Sequence, residues 1–228
     1  DGAVYVFRYG SLSSQFGEQA QLFFPPGVLG GGVALLPGAP AEPERWLALA
    51  GAEGTAHLWR RSASGAWEPE WWPDLPGNTY EGGGSGEALV RDTAGAEYAA
   101  ISDGDSVFVW RRDPRAPTSP AAWVLDGAIG SEPEGLLAGQ LAAWAAPDGA
   151  VGLAVGDRGQ APREIVVFRR DARAGAWSEE ARLVGSALEP GHVFGYRLAA
   201  ERWAGAVTAS GPLPERVVVG APYRQEPY

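Results

Sequence analysis

The sequence predicts an all-β fold in which one small sheet is repeated four times. A segment that alternates apolar and polar residues, with an aromatic residue near its end followed by Arg, occurs four times in the 228 residues. Its copies are GAVYVFRY from Gly2, GTAHLWRR from Gly54, DSVFVWRR from Asp105 and REIVVFRR from Arg163. The matching aromatic residues are Phe7, Trp59, Trp110 and Phe168, which lie 52, 51 and 58 residues apart. A period in this range is typical of repeat proteins whose unit is one supersecondary element.

Each repeat contains three further strands around the marked one. A short run of small apolar residues precedes it, a Gly-led run lies earlier still, and a polar turn leads to a fourth strand. The aromatic residues that mark the fourth strands are Phe16, Trp67, Trp123 and Trp177. The turns have hairpin composition, and no stretch shows the 3.6-residue period of a helix. Because a four-stranded sheet cannot bury both faces alone, the repeats are predicted to stack as blades of a β-propeller.

The two ends of the chain complement one another. The chain begins on a third strand and ends after a second strand, so we expect residues 2–8 to pair with residues 216–219 and remove an exposed sheet edge. Residues 1–228 then form a single domain of four blades. The blades span residues 30–76, 84–130, 137–185, and 192–228 joined to 1–24. The alternative is a fragment of a longer propeller, for example one of seven blades, since the chain contains no Met.

Composition excludes several classes of function. The net charge of −10 and the pI of about 4.7 argue against nucleic acid and anionic membrane surfaces as partners. No apolar run approaches the roughly 20 residues that span a bilayer, so membrane insertion is not expected. The absence of Cys excludes disulfides and thiolate metal sites. All 18 basic residues are Arg, which fits a GC-rich genome and is also compatible with bidentate pairing to carboxylates.

No constellation of residues indicates catalysis. The chain has two His residues. His57 lies in a strand where other repeats have Tyr5, Phe108 or Val166, so we interpret it as a packing residue, and His192 lies in a predicted turn. The stretch 83–87 departs from the Gly-x-Ser-x-Gly pattern of a nucleophilic serine at its last position. We therefore expect a protein that is not an enzyme.

The repeat resembles FG-GAP repeats, the blades of integrin-α-like propellers. The fourth unit carries both halves of the signature, Phe194-Gly195 before its first strand and Gly220-Ala221-Pro222 after its second. The other units depart from both halves, while the strand of the GAVYVF type matches in all four. The resemblance implies an extracellular or cell-surface setting and a role in cell adhesion or protein binding.

In the family that the chain resembles, some blades hold calcium in an Asp-rich loop between the first two strands. The corresponding loops here contain Asp92 with Glu97, and Asp148. Calcium needs several oxygen ligands from one loop, so these residues are weak metal candidates that we interpret as turn formers. No cofactor is predicted, and a calcium-stabilised adhesion head is the least favoured of three hypotheses.

The Trp residues divide into recurring and irregular positions. Recurrence of Trp59, Trp110, Trp67, Trp123 and Trp177 indicates packing between blades. The irregular residues are the candidates for contacts with a partner or a glycan: Trp71, Trp72, Trp144 and Trp203. The favoured function is a non-catalytic protein-interaction or structural module of a larger assembly, and the alternative is a glycan-binding propeller of the lectin type.

Overall fold

The computed structural model describes β-strands and the turns between them. The described residues are 3–10, 15–23, 29–39, 42–43, 45–52, 55–71, 86–102, 106–113, 122–130, 138–157, 164–184, 197–201, 207–208, 211–212 and 216–220. Within these ranges there is no α-helix. In the same part of the chain, no helix has the length and apolar character needed to cross a membrane.

Three antiparallel four-stranded sheets form most of the structure, after an initial hairpin of β1 (Ala3–Gly10) and β2 (Gln15–Phe23). Sheet I consists of β3 (Leu29–Leu36), β4 (Leu47–Ala52), β5 (Thr55–Arg61) and β6 (Trp67–Trp71). Sheet II consists of β7 (Glu87–Arg91), β8 (Glu97–Ser102), β9 (Ser106–Arg112) and β10 (Trp123–Gly130). Sheet III consists of β11 (Ala138–Ala145), β12 (Val151–Asp157), β13 (Glu164–Arg170) and β14 (Trp177–Val184). In each sheet the strands pair in chain order.

Four more strands follow sheet III. These are β15 (Arg197–Glu201), β16 (Val207–Thr208), β17 (Gly211–Pro212) and β18 (Arg216–Gly220). β15 pairs antiparallel with β18, and β16 pairs with β17. The predicted all-β class with antiparallel four-stranded sheets is therefore confirmed. A pairing of β18 with β1 is not among the described strand pairings, so the closed ring stays a prediction.

The inner strands of the stack are buried because they direct alternate apolar side chains towards two neighbouring sheets. In β8, Ala99 and Ile101 pack into a cluster shared with sheet I, while Tyr98 and Ala100 pack into a cluster shared with sheet III. The first cluster also contains Leu47, Leu49 and Leu58 of sheet I, and the second contains Val151, Leu153 and Val155 of sheet III. This arrangement requires period-2 alternation of side chains that are apolar on both faces.

The two-stranded sheets cover the two ends of this stack. Leu22 of β2 is buried in a cluster with Ala48 and Ala50 of sheet I, and Val6 of β1 packs against it. Leu198 and Ala200 of β15 pack against the opposite end, on the face of sheet III that contains Trp144 and Ala154. The order of stacking is therefore the β1–β2 hairpin, sheet I, sheet II, sheet III and the β15–β18 pair.

A β-bulge recurs in the last strand of each sheet and in β2. The bulged residue is skipped in the pairing register and lies three residues after the aromatic residue that marks the strand. The four bulged residues are Gln19, Glu70, Asp126 and Glu180. Since a bulge changes the direction of one side chain, the three carboxylates occupy a special position in each sheet. The shared bulge also makes β1 and β2 equivalent to the third and fourth strands of sheets I to III.

Close approach of sheets II and III at Gly86 gives a test of the stacking. A Cβ atom added at Gly86 would lie 2.1 Å from the carbonyl oxygen of Gly139, so β7 and β11 would have to separate. We expect Gly86→Ala to lower the free energy of unfolding by about 1–3 kcal/mol, measured by urea denaturation. Gly130→Ala is the matched control, because its Cβ would lie 3.5 Å from Oγ of Ser106, an ordinary contact. Equal losses in the two variants would contradict the packing of these sheets.

Candidate functional site

The recurring aromatic residues lie between the sheets. Trp59, Trp110 and Trp123 are buried, and Trp67, Phe168 and Trp177 are partly buried against the apolar clusters. The structure therefore places them where packing between sheets requires them. The side chain of Phe7 lies outside the described part of the structure.

Two of the four irregular Trp residues are also interior, contrary to the expectation of surface contacts. The ring of Trp71 is 9% exposed, stacks on Trp123 with ring centroids 5.3 Å apart, and meets Trp110 edge to face at 5.0 Å. Trp144 is 5% exposed and packs closely over the backbone of Gly152. Burial of both rings removes them as docking residues. Trp72 and Trp203 lie outside the described residues.

His57 is buried in sheet I, as a packing residue would be. Its ring stacks on Trp59 with centroids 5.7 Å apart, and its side chain is 4% exposed. Burial holds the pKa of His57 below its ordinary value, because the protonated ring loses its hydration. His192 lies outside the described residues.

The three weak metal candidates are engaged in other roles. Oδ1 of Asp92 accepts hydrogen bonds from the backbone N–H groups of Ala94 and Ala96, at 2.9 and 2.8 Å. Asp148 likewise accepts a hydrogen bond from the N–H of Ala150 at 3.1 Å. Both carboxylates thus stabilise hairpin turns whose Gly residues have positive φ, 90° at Gly95 and 86° at Gly149.

Glu97 accepts hydrogen bonds from Arg side chains and does not form a metal site. Its Oε2 accepts hydrogen bonds from Arg60 at 2.8 Å and Arg112 at 2.9 Å, and its Oε1 accepts one from Arg91 at 2.9 Å. Three guanidinium groups at this carboxylate oppose the approach of a metal ion. Among the residues that the structure describes, no group of three His, Asp or Glu side chains is placed to hold a metal.

The charged cluster around Glu97 continues to a second buried carboxylate. Arg60 donates two hydrogen bonds to Glu70, with 2.9 Å between Nη2 and Oε1. The indole N–H of Trp123, from sheet II, donates to Oε1 of Glu70 at 3.0 Å, and Nε of Arg112 lies 3.7 Å from the same oxygen. The side chains of Glu70 and Glu97 are 1% and 5% exposed, so this is an internal contact between sheets I and II.

The contact between sheets II and III repeats the same chemistry. Asp126 accepts hydrogen bonds from Nε and Nη2 of Arg170 at 2.6 and 2.8 Å, and from the indole N–H of Trp177 at 3.0 Å. The guanidinium carbon of Arg170 also lies 5.3 Å from the ring centroid of Tyr98, a cation–π contact. We call this arrangement a carboxylate latch. It consists of a carboxylate at the bulge of one sheet, together with the indole N–H of a Trp and the guanidinium group of an Arg from the next sheet. Its two described copies are Glu70–Trp123–Arg112 and Asp126–Trp177–Arg170.

Electrostatics keep Glu97 ionised inside the protein. Burial alone would raise the pKa of the Glu97 carboxyl, but hydrogen bonds and positive charge from Arg60, Arg91 and Arg112 outweigh it and hold the pKa below its ordinary value.

The sequence contains a signal for the carboxylate latch that composition alone does not reveal. An acidic residue follows Trp67, Trp123 and Trp177 at the third position in all three cases.

Among the residues whose burial the structure describes, the large exposed apolar side chains are mainly aliphatic. They are Val33 and Leu35 on β3, Val124 and Leu125 on β10, Leu183 and Val184 on β14, and Tyr5 on β1. Val124 and Leu125 are 56% and 51% exposed and lie next to each other on an edge strand. An edge strand with exposed apolar side chains is suited to contact with another protein.

Comparison with known proteins identifies no family. No protein-family model matches the chain. A search of curated proteins also finds no match.

The charged cluster gives a prediction for stability. Glu97→Gln removes one buried carboxylate charge, so three guanidinium groups lose a negatively charged partner. We therefore expect a loss of about 3–5 kcal/mol in the free energy of unfolding. Urea denaturation measures this loss. Glu68→Gln, at an exposed position of β6, is the control and should change stability by less than about 0.5 kcal/mol. A similar small effect of both changes would show that the cluster does not stabilise the fold.

The buried His57 gives a prediction for pH dependence. An unfolded chain protonates this ring near its ordinary pKa of 6.5, whereas the folded protein does so only at lower pH. Stability is therefore lost as pH falls from about 7 towards the lowered pKa. We expect His57→Phe, which copies the residue at Phe108, to flatten the stability profile between pH 7 and pH 5. His192→Gln, measured in the same way, separates the contribution of the second histidine, and an unchanged slope in His57→Phe would contradict the prediction.

Proposed function

We propose that this protein is a non-catalytic module for protein–protein interaction, built as a closed propeller of four blades that resembles FG-GAP repeats. It serves as a binding or structural part of a larger assembly. The extracellular or cell-surface setting and a role in adhesion are proposed from the resemblance alone.

The stacking of sheets supports the closed ring. The hairpin β1–β2 has the bulge of a fourth strand, and the pair β15–β18 has the connectivity of a first and second strand. One half-sheet covers sheet I and the other covers sheet III. Joining β18 to β1 would turn both into one four-stranded sheet and convert the linear stack into a ring.

Burial of five of the described indole rings is the observation that favours a protein partner over a glycan. Sugar recognition by stacking needs an exposed aromatic face, whereas Trp59, Trp71, Trp110, Trp123 and Trp144 are each at most 9% exposed. In the described part of the chain, exposed apolar area comes mainly from aliphatic side chains, including Val124 and Leu125 on the edge of sheet II. Aliphatic side chains on an edge strand suit an apolar protein surface or an added strand.

The roles of the buried charges support a function without catalysis. Glu70, Glu97 and Asp126 accept hydrogen bonds from Arg and Trp side chains of the same or the next sheet. A catalytic carboxylate must reach a substrate in a cleft, which these interior positions between packed sheets do not favour.

A substitution on β10 tests the proposal. We expect Val124→Asp combined with Leu125→Asp to leave the fold intact, because both side chains are exposed, and to abolish binding to the partner. Cross-linking and mass spectrometry on cells or secretions of the native source identify the partner, and rebinding of the purified partner measures the loss.

Leu183→Asp combined with Val184→Asp, on the edge of sheet III, is the matched control and should keep the partner. A glycan array and Trp-fluorescence titration with simple sugars complete the experiment. Sugar binding at several equivalent sites, unaffected by both double variants, would contradict the proposal and favour the lectin-type alternative.

A further inference from the structure

The two described junctions between complete sheets each contain a carboxylate latch. In both, the bulged carboxylate of one sheet accepts hydrogen bonds from a Trp of the next sheet, with an Arg of that sheet beside it. The Trp marks the fourth strand, and the Arg is the second residue after the aromatic of the third strand. The residues at these three positions can therefore be compared at the other junctions of the proposed ring.

Glu180, the bulged carboxylate of sheet III, is in a different environment from its equivalents. Its side chain is 45% exposed, compared with 10% for Asp126 and 1% for Glu70. Its ion pair is with Arg169, in the same sheet, at 3.6 Å. The carboxylate that would bridge sheet III to the β1–β2 hairpin is thus solvated instead of buried.

The β1–β2 hairpin carries other residue types at the two donor positions. Tyr9 stands where Arg112 and Arg170 stand, and Phe16 stands where Trp123 and Trp177 stand. Phenylalanine has no hydrogen-bond donor, and tyrosine offers one neutral hydroxyl in place of a charged fork. The bulged residue of β2 is Gln19, so a carboxylate is also missing at the junction that follows.

Strand β3 has exposed apolar side chains on the face of sheet I that turns towards the β1–β2 hairpin. Val33 and Leu35 are 58% and 47% exposed, and they pair with Ala50 and Ala48 on the face of sheet I that turns towards the β1–β2 hairpin. At the equivalent place in sheet II, Leu89 of β7 is partly buried against the cluster shared with sheet I. The face of β3 next to the chain ends is therefore less covered than the corresponding face of β7.

We propose that the junction between β18 and β1 is a seam that opens reversibly while sheets I, II and III stay packed. This inference rests on the closed ring of the proposed function. Charge-assisted bonds of the carboxylate latch join sheets I, II and III, whereas Tyr9 and Phe16 supply neither a guanidinium nor an indole donor to Glu180. Opening exposes the edges of β1 and β18.

Restoring the latch tests the seam. In the full chain we expect backbone amides of β1, β2 and β18 to exchange with deuterium faster than those of β8, β9 and β12. Tyr9→Arg combined with Phe16→Trp supplies both donors to Glu180 and should slow exchange in β1, β2 and β18 by about tenfold or more. Adding Glu180→Ala to this double variant removes both acceptor oxygens, so the gain should disappear.

Two results would overturn the seam. One is exchange in β1, β2 and β18 of the unmodified chain as slow as in β8 and β9. The other is slowing in the double variant that persists in the presence of Glu180→Ala, or no slowing at all.

Spin labels separate failure of the seam from failure of the ring. The chain has no Cys, so Tyr5→Cys and Val218→Cys label β1 and β18 specifically. Neighbouring strands lie about 4.8 Å apart, so a closed ring gives a short distance between the labels. A short distance without any effect of the restored latch overturns the seam alone, whereas a long distance in all molecules overturns the ring and the seam together.

Discussion

Burial of both faces of every four-stranded sheet is the constraint on which this structure depends. Each strand places apolar side chains alternately on two sides, so no sheet can be stable unless a neighbour covers each face. In β8, adjacent residues such as Ala99 and Ala100 belong to two different clusters, one with sheet I and one with sheet III. A slip of one residue in the register would exchange these faces and misplace every side chain of the strand. Stacking in chain order satisfies the constraint for sheets I to III, and the half-sheets at the two ends continue it.

Charged groups fix the lateral position of the sheets that apolar packing brings together. Apolar clusters are tolerant of sliding, whereas a carboxylate bonded to a planar guanidinium and an indole N–H has one favourable geometry. Removing these charges from water is costly, and the cost is offset only where hydrogen bonds are complete. The bulge in the last strand supports this geometry, because it lets Glu70 and Asp126 accept hydrogen bonds from Trp side chains of the next sheet. The use of Arg for all 18 basic residues suits contacts of this kind, since Lys cannot form the two-pronged pairing.

The sequence predicted the repeat, the antiparallel four-stranded sheets and the interior role of the recurring aromatic residues, because all three depend on local periodicity. Predictions from the sequence were wrong where the role of a residue depends on a neighbouring residue in another sheet. Trp71 does not recur, so it was expected at the surface, yet it fills the space between Trp110 and Trp123. Glu97 was considered as a calcium ligand because an Asp lies nearby in sequence, but its partners include Arg60, 37 residues away. Spacing along the chain does not contain this information, although the recurrence of an acid three residues after Trp in three repeats did indicate a shared role.

The β1–β2 hairpin, at one end of the chain, departs from the residue pattern of the other repeats. Sheets I, II and III each retain the acid at the bulge, whereas the β1–β2 hairpin has Gln19 there and lacks both donors, with Tyr9 and Phe16 in their places. In the proposed ring, a buried carboxylate at the junction between the first and last segments would be unpaired whenever the ends separate. Hydrogen bonds between edge strands avoid that penalty, since water replaces them when the strands part. The loss of latch residues on both sides of the β1–β2 hairpin is thus consistent with the proposed closure, which can open without leaving a buried charge unpaired.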